Sequence, residues 1–167
     1  PGKPYHLGSM TEIIQNSINN LEYMMVSSIR RAVQKDKQHI GFLQGHGELT
    51  YPQTQRVRAL ISPYYKVSDI SLNDSITALD SYDGLIIAQP RTQFSEKDLF
   101  IIDQFVMRGG RLFCFIDALT FPEDTLNAKG VTHSIRLNTG LEKMLFDYGL
   151  KLNENYVLDV RLAPKPV

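Results

Sequence analysis

One short segment of the chain carries the residue types that proton transfer and metal binding require. Gly45-His46-Gly47-Glu48 follows an apolar run and precedes a helix start. An imidazole and a carboxylate two residues apart can act as a general acid–base pair or supply two ligands to a metal. A metal site normally needs three or more ligands, and no nucleophile accompanies the pair. Two glycines before a helix also fit a tight structural turn. In that case the Glu48 carboxylate interacts favourably with the positive end of the helix dipole.

Two further polar residues, Gln89 and Asp117, each follow a predicted strand. In a parallel sheet the carboxyl ends of the strands share one edge, where ligands bind. We therefore expect both residues to lie near the turn. The candidate ligand-binding residues are Gly45, His46, Gly47, Glu48, Gln89 and Asp117. A hydrolase-like or amidotransferase-like enzyme would use His46, Glu48 and Asp117.

Nucleotide-binding motifs are missing from the sequence. Gly45-x-Gly47 begins like a dinucleotide fingerprint, but the third glycine position holds Thr50. The chain contains no GxxxxGK[ST] segment, so P-loop hydrolysis is excluded as well. We expect no cofactor and no metal.

Composition narrows the classes of partner. Lys+Arg and Asp+Glu number 18 each, so the basic excess of a nucleic-acid-binding protein is missing. The sequence has no apolar run near the ~20 residues of a membrane helix. The single cysteine, Cys114, excludes an internal disulfide, and its apolar neighbours favour a core position. Because the chain starts at Pro1 rather than Met, we expect it to be a piece of a longer protein.

The N-terminal segment is predicted to be one long helix. Ser9-Met10-Thr11-Glu12 has the spacing of a capping box, and apolar residues recur at helical intervals to about Val33. The apolar stripe favours packing on the domain that follows; the alternative is an arm that docks another domain or subunit. We assign residues 1–36 to this arm or linker.

Strands and helices alternate in residues 37–167. This pattern predicts an α/β domain with a parallel sheet, which is flavodoxin-like or a three-layer sandwich of the class I glutamine amidotransferase type and is truncated at its C-terminus. The predicted strands are 39–44, 66–72, 82–89, 111–116 and 156–158, and the predicted helices follow Thr50, Ser95 and Thr139. The first of these helices should direct Val57, Leu60 and Ile61 inward. We read residues 120–137 as a long loop.

One strand resembles a known enzyme scaffold. Residues 82–87, Tyr-Asp-Gly-Leu-Ile-Ile, resemble the corresponding strand of class I glutamine amidotransferase-like domains. In those enzymes the next strand ends in a turn that carries a nucleophilic Cys between glycines. Here that strand ends at Phe115-Ile116-Asp117, and Cys114 lies within it. The resemblance thus implies the scaffold without its nucleophile.

An ordered series of segments resembles the GldG family, the auxiliary, substrate-binding-like component of gliding-motility ABC transporters. The segments are residues 18–23, 40–49, 82–90, 94–98, 103–111 and 140–149. The turn at residues 45–48 and the helix–strand junction around Gly109-Gly110-Arg111 are its most specific parts.

The resemblance implies a location and partners. The parent chain would be anchored in the inner membrane by segments outside this one, with a soluble periplasmic portion and with ATPase and permease subunits as partners. The leading hypothesis is a non-enzymatic extracytoplasmic domain that acts by contacting proteins or an exported substrate. The alternatives are the enzyme described above and a sensor of a small sugar or peptide at the same edge.

Overall fold

The computed structural model describes residues 10–34, 36–121 and 133–155. In chain order the elements are α1 (Met10–Val33), β1 (His39–Leu43), α2 (Tyr51–Ile61), β2 (Lys66–Ile70), β3 (Gly84–Ala88), α3 (Glu96–Met107), β4 (Arg111–Phe115), β5 (Leu119–Thr120), β6 (Ile135–Arg136) and α4 (Leu141–Asp147). The predicted strand at residues 156–158 and Ser9 of the predicted capping box lie outside the described residues.

Four strands form a sheet in the order β2-β1-β3-β4, and every pair is parallel. Ile40 pairs with Val67 on one side and with Gly84 on the other, and Gly84 pairs in turn with Arg111. The predicted α/β class with a parallel sheet is therefore confirmed. Because successive side chains point to opposite faces, this register sorts the strand residues into two faces.

The closed face is the side of the sheet that α3 and α4 cover. It holds Leu43, Leu85 and Ile87, which pack with Ile102 of α3 and Leu141 of α4. Burial of this continuous apolar cluster is the main stabilising contribution that the chain can make by itself.

Local sequence signals fix the ends of the two covering helices. Ser95 precedes α3, and its hydroxyl accepts the backbone N–H of Asp98. At the other end Gly109 has φ +93°, and Gly110 N–H donates to the carbonyl of Phe105. This is the Schellman arrangement, which the left-handed glycine makes possible. Gly149 ends α4 in the same way.

The open face is the opposite side of the sheet, on which α2 lies. Its residues are Ile40 and Phe42 of β1, Ile86 of β3, and Phe113 and Phe115 of β4. They line a groove of about 670 Å³, and residues of α2 form its other wall.

The prediction of which residues of α2 face the sheet is wrong. Val57 and Leu60 are 51% and 73% exposed, and Ile61 is only partly buried. The helix directs Thr54 and Arg58 toward the sheet instead. The Arg58 guanidinium lies 3.9 Å from the centre of the Phe42 ring and pairs with Asp69 of β2. Aromatic stacking and an ion pair thus take the place of aliphatic packing.

Two other expectations need correction. The segment predicted as a loop over residues 120–137 carries short strands at its ends, because β5 and β6 form an antiparallel pair. The described side chains of α1 are mostly exposed, so the predicted packing of its stripe on the following domain is not observed.

Candidate functional site

Three loops meet at the carboxyl edge of the sheet, as the strand order requires. The backbone carbonyl of His46, after β1, accepts N–H groups of Arg91 and Thr92, after β3, at 2.8 and 3.0 Å. The N–H of Leu49 donates to Ala88 at 2.9 Å. These bonds lock the Gly45–Glu48 turn to the loop that follows β3.

The glycines of this turn are required by its geometry. Gly45 and Gly47 have φ values of +131° and +73°, which L side chains rarely adopt. A Cβ on Gly47 would also stand 3.0 Å from the Cβ of Arg91. The turn therefore brings its backbone against the neighbouring loop at a point that only glycine fits without strain.

Glu48 is turned back into the protein. Its side chain is 0% exposed, and Oε2 accepts the backbone N–H of His46 at 2.7 Å. The other oxygen, Oε1, lies 3.4 Å from His46 Nδ1. That pair is close enough for an electrostatic contact but not aligned as a hydrogen bond, and neither atom has another hydrogen-bond partner within the described part of the chain.

The imidazole of His46 is held between an aromatic ring and two carboxylates. It stacks on Phe94 with the ring centres 3.8 Å apart and the planes 9° apart. Its Nε2 lies 3.3 Å from Oδ2 of Asp98, which also accepts the hydroxyl of Ser95. His46 and Glu48 thereby attach the turn to the start of α3, on the closed side.

Gln89 and Asp117 form a second group, at the end of the open-face groove. Gln89 Nε2 donates to Oδ2 of Asp117 at 2.6 Å, and both residues line the groove. Gln89 has φ +56°, a strained value for a residue other than glycine. Arg91 lies 3.9 Å from the same carboxylate and donates to the Thr120 hydroxyl at 3.2 Å. This group presents both charges and amide donors to solvent.

The six sequence candidates therefore fall into two clusters. The polar contacts of the His46 ring go to Glu48 and Asp98, whereas those of Asp117 go to Gln89 and Arg91. Sequence reasoning missed the roles of Phe94 and Asp98, because neither belongs to a motif around His46. Their position at the start of α3 was visible in the capping pattern. Among residues 10–34, 36–121 and 133–155, no three His, Cys, Asp or Glu side chains are grouped to hold a metal ion.

Cys114 is not placed as a nucleophile. Its side chain packs against the closed-face core, and burial raises the pKa of its thiol from 9.0 to about 11. The thiolate, which is the reactive form, is therefore scarce at neutral pH. A cleft of about 520 Å³ beside β4 and α4 lies next to this residue.

Comparison with known proteins gives a family match and a partial match to a solved structure. A protein family described as an ABC-type uncharacterized transport system matches residues 37–167. A solved structure described as "mmIFT52 N-terminal domain" is 17% identical, with a TM-score of 0.44, over 47% of this chain and 36% of that chain. No curated protein matches the sequence. Within the described residues, no helix has the length and apolar character needed to cross a membrane.

Proposed function

The chain belongs to the auxiliary family of ABC-type uncharacterized transport systems, and from that premise we propose that it is a non-enzymatic, extracytoplasmic domain of an ABC-type transport complex. The domain acts by contact with other proteins or with an exported substrate. On the GldG-like resemblance it stands at the periplasmic face of the inner membrane, serves a transporter associated with gliding motility, and has the ATPase and permease subunits as partners.

One observation carries the non-enzymatic part of the proposal: His46 and Glu48, two of the three side chains with catalytic potential, make their contacts within the protein. Glu48 is fully buried and accepts a backbone N–H, and His46 is enclosed by Phe94, Asp98 and Glu48. A general acid or base must reach the proton that it transfers. The pair is better suited to hold the edge of the sheet rigid than to reach a substrate.

The proposed binding surface is the carboxyl edge of the four-stranded sheet. Gly45, His46, Gly47 and Glu48 set the shape of the edge, and Gln89 and Asp117 make the contacts. Support comes from the strained φ of Gln89 and from the partly exposed Arg91–Asp117 pair beside it. Strained backbone and accessible charge concentrate at sites of recognition.

The finer description of the fold is part of the same proposal. The strand order β2-β1-β3-β4 supports a flavodoxin-like or amidotransferase-like sandwich, in which ligands approach the carboxyl edge of the strands. Residues 37–167 then form the α/β domain, and residues 1–36 form a helical arm.

Co-purification of the full-length protein from detergent-solubilised membranes tests the proposal. Mass spectrometry should identify an ATPase and a permease together with the tagged wild-type protein. Asp117→Arg reverses the charge beside Gln89 and Arg91, so we expect both subunits to be lost or strongly reduced. The matched control is Asp147→Arg, which makes the same charge change at the exposed end of α4.

Three results would count against the proposal. The transporter assignment is wrong if neither subunit appears with the wild-type protein under gentle conditions. The edge is not the contact site if both variants retain the subunits equally. Specific turnover of a substrate by the purified domain would contradict its non-enzymatic character.

A further inference from the structure

No described helix occupies the part of the open-face groove that lies over β3 and β4. In a sandwich, each apolar face of the sheet is buried against another layer. On the open face α2 covers β1, but no described element covers β3 and β4 on that side. Phe113 and Phe115 of β4, the outermost strand of the described sheet, are consequently 50% and 64% exposed. An exposed aromatic edge of this kind marks an interaction surface.

The same chain carries a helix whose apolar side is also unpaired. The stripe of α1, defined here as Ile14, Ile18, Leu21, Met25 and Ile29, is 54–60% exposed. Between the first and last of these residues the only charged side chain is Glu22. A helix with an apolar stripe and few charges is suited to pack against an apolar sheet face.

The base of α1 is fixed close to the groove. Gln34 Nε2 donates to the carbonyl of Tyr64 at 2.9 Å, and the Arg31 guanidinium stands 6.0 Å from the centre of the Tyr64 ring. The next residue, Tyr65, lines the groove. Held at this base, α1 does not enter the groove of its own chain and presents its stripe to the outside.

We propose that two copies of this chain exchange their first helices, so that α1 of each copy lies in the open-face groove of the other. A two-fold axis makes the exchange reciprocal and closes the assembly, because the helix and the groove are both on every copy. Each copy then supplies the layer that the other lacks.

The area involved suits a specific dimer. The stripe of α1 from Ile14 to Ile29 is about 24 Å long and about 10 Å wide, so packing it buries roughly 250 Å² on the helix and a similar area on the groove. Two reciprocal contacts therefore bury about 1,000 Å² in total, which is the lower limit for a specific interface.

Cysteine cross-linking between two differently tagged chains tests the exchange. Both chains carry Cys114→Ser; one also carries Leu21→Cys and the other Phe115→Cys. We expect a disulfide-linked product that contains both tags. The matched control places the cysteine on the opposite side of the helix, at Asn16→Cys, and should give little of this product.

Three other outcomes of the cross-linking would each overturn the proposal. A product that joins two Leu21→Cys chains, without the mixed one, shows that the helices pair with each other. A third chain carries Leu21→Cys and Phe115→Cys together. If its disulfide forms only within one chain, α1 folds back into its own groove. No product at any concentration, with a monomeric mass by sedimentation equilibrium, shows that the chain does not dimerise.

Sedimentation equilibrium without introduced cysteines provides an independent measurement. Leu21→Ser changes an exposed residue of the monomer, so the fold of each chain should survive. We expect the dimer dissociation constant to rise at least about thirtyfold, as for a residue central to an interface. Asn16→Ser should leave the constant unchanged, and an equal rise in both variants would contradict the exchange.

Discussion

The two faces of the sheet are built from alternate residues of the same strands, yet they differ in how they are covered. Leu85 and Ile87 of β3 lie in the closed-face core beneath α3 and α4. Their neighbour Ile86 faces the open groove with Phe113. Both sides of β3 and β4 are apolar, so both need cover, and the described chain covers only one. Stability is therefore concentrated on the closed side, and a contact surface is left on the other.

The six candidate site residues also divide between the two faces of the sheet. His46 and Glu48 are tied to the start of α3 on the closed side, whereas Gln89 and Asp117 line the end of the open groove. Substitutions on the closed side should cost folding free energy. Substitutions on the open side should spare the fold and affect binding.

The largest difference in the free energy of unfolding is expected between substitutions of two adjacent isoleucines of β3. Ile87→Ala removes a fully buried side chain, so we expect a loss of about 3–4 kcal/mol in the free energy of unfolding. Ile86→Ala, on the open side, should cost less than half of that. Urea titration at a concentration where the chain is monomeric gives both values. Equal losses would show that the open face is covered within one chain.

A smaller difference in the free energy of unfolding is expected between substitutions of the carboxylates of Glu48 and Asp117. Glu48→Gln leaves a buried amide in place of the carboxylate that accepts the His46 N–H, which should cost about 2 kcal/mol. Asp117→Asn changes a partly exposed group, so its cost should stay within about 0.5 kcal/mol. The same urea titration compares them. A larger loss in Asp117→Asn would reverse the assignment of the two clusters.

Glycine substitutions test the turn itself. Gly47→Ala forces a Cβ into a left-handed conformation beside Arg91, and we expect it to cost about 1–2 kcal/mol. Gly84→Ala is the control, because its Cβ would meet its nearest neighbour at an ordinary 3.5 Å on the open face. Thermal unfolding should show a lower midpoint for the first variant only. An unchanged midpoint for Gly47→Ala would mean that the turn relaxes freely.

The smallest effect is a pH dependence at the rim of the closed side. The hydrogen bond from the Tyr148 hydroxyl to Asp103, with smaller contributions from burial and from the charge of Asp103, raises the pKa of Tyr148 from 10.0 to about 12. A raised tyrosine pKa means that the neutral, protonated form stabilises the fold. This contribution is complete below pH 10 and is lost as the pH rises through about 12. Because Tyr148 is largely exposed, the effect on stability should be slight.

Ultraviolet titration of the phenolate measures this pKa directly. Asp103→Asn removes the negative charge and weakens the acceptor, so the Tyr148 transition should move back toward 10. Tyr148→Phe identifies the transition by removing it. An unchanged titration in Asp103→Asn would show that the contact between α3 and α4 does not involve this pair.

Local patterns were sufficient for most of the fold. Ser95 predicted where α3 begins, and the glycines at positions 109 and 149 predicted where α3 and α4 end, because helix caps depend on neighbouring residues alone. Thr139 was predicted to cap α4, but the N-cap is Gly140. The apolar run at residues 84–88 likewise predicted the strand β3. Parallel topology then followed from the alternation of strands and helices.

Contacts between distant residues decided what the local patterns could not. Periodicity placed Val57 and Leu60 inward, but the ion pair of Arg58 with Asp69 and its stacking on Phe42 set the rotation of α2. Two partners of the His46 ring, Phe94 and Asp98, lie about fifty positions away, so no motif could reveal that the ring is enclosed.

The sequence by itself determined the parallel α/β sheet, the turn at its carboxyl edge and the family to which the chain belongs, because each depends on short-range order along the chain. Only the tertiary structure decided that His46 and Glu48 contact the closed side and that Gln89 and Asp117 border a groove that the described residues leave open. Burial and unfilled space arise from packing between elements, and alternating apolar residues show that a face needs cover without showing what provides it.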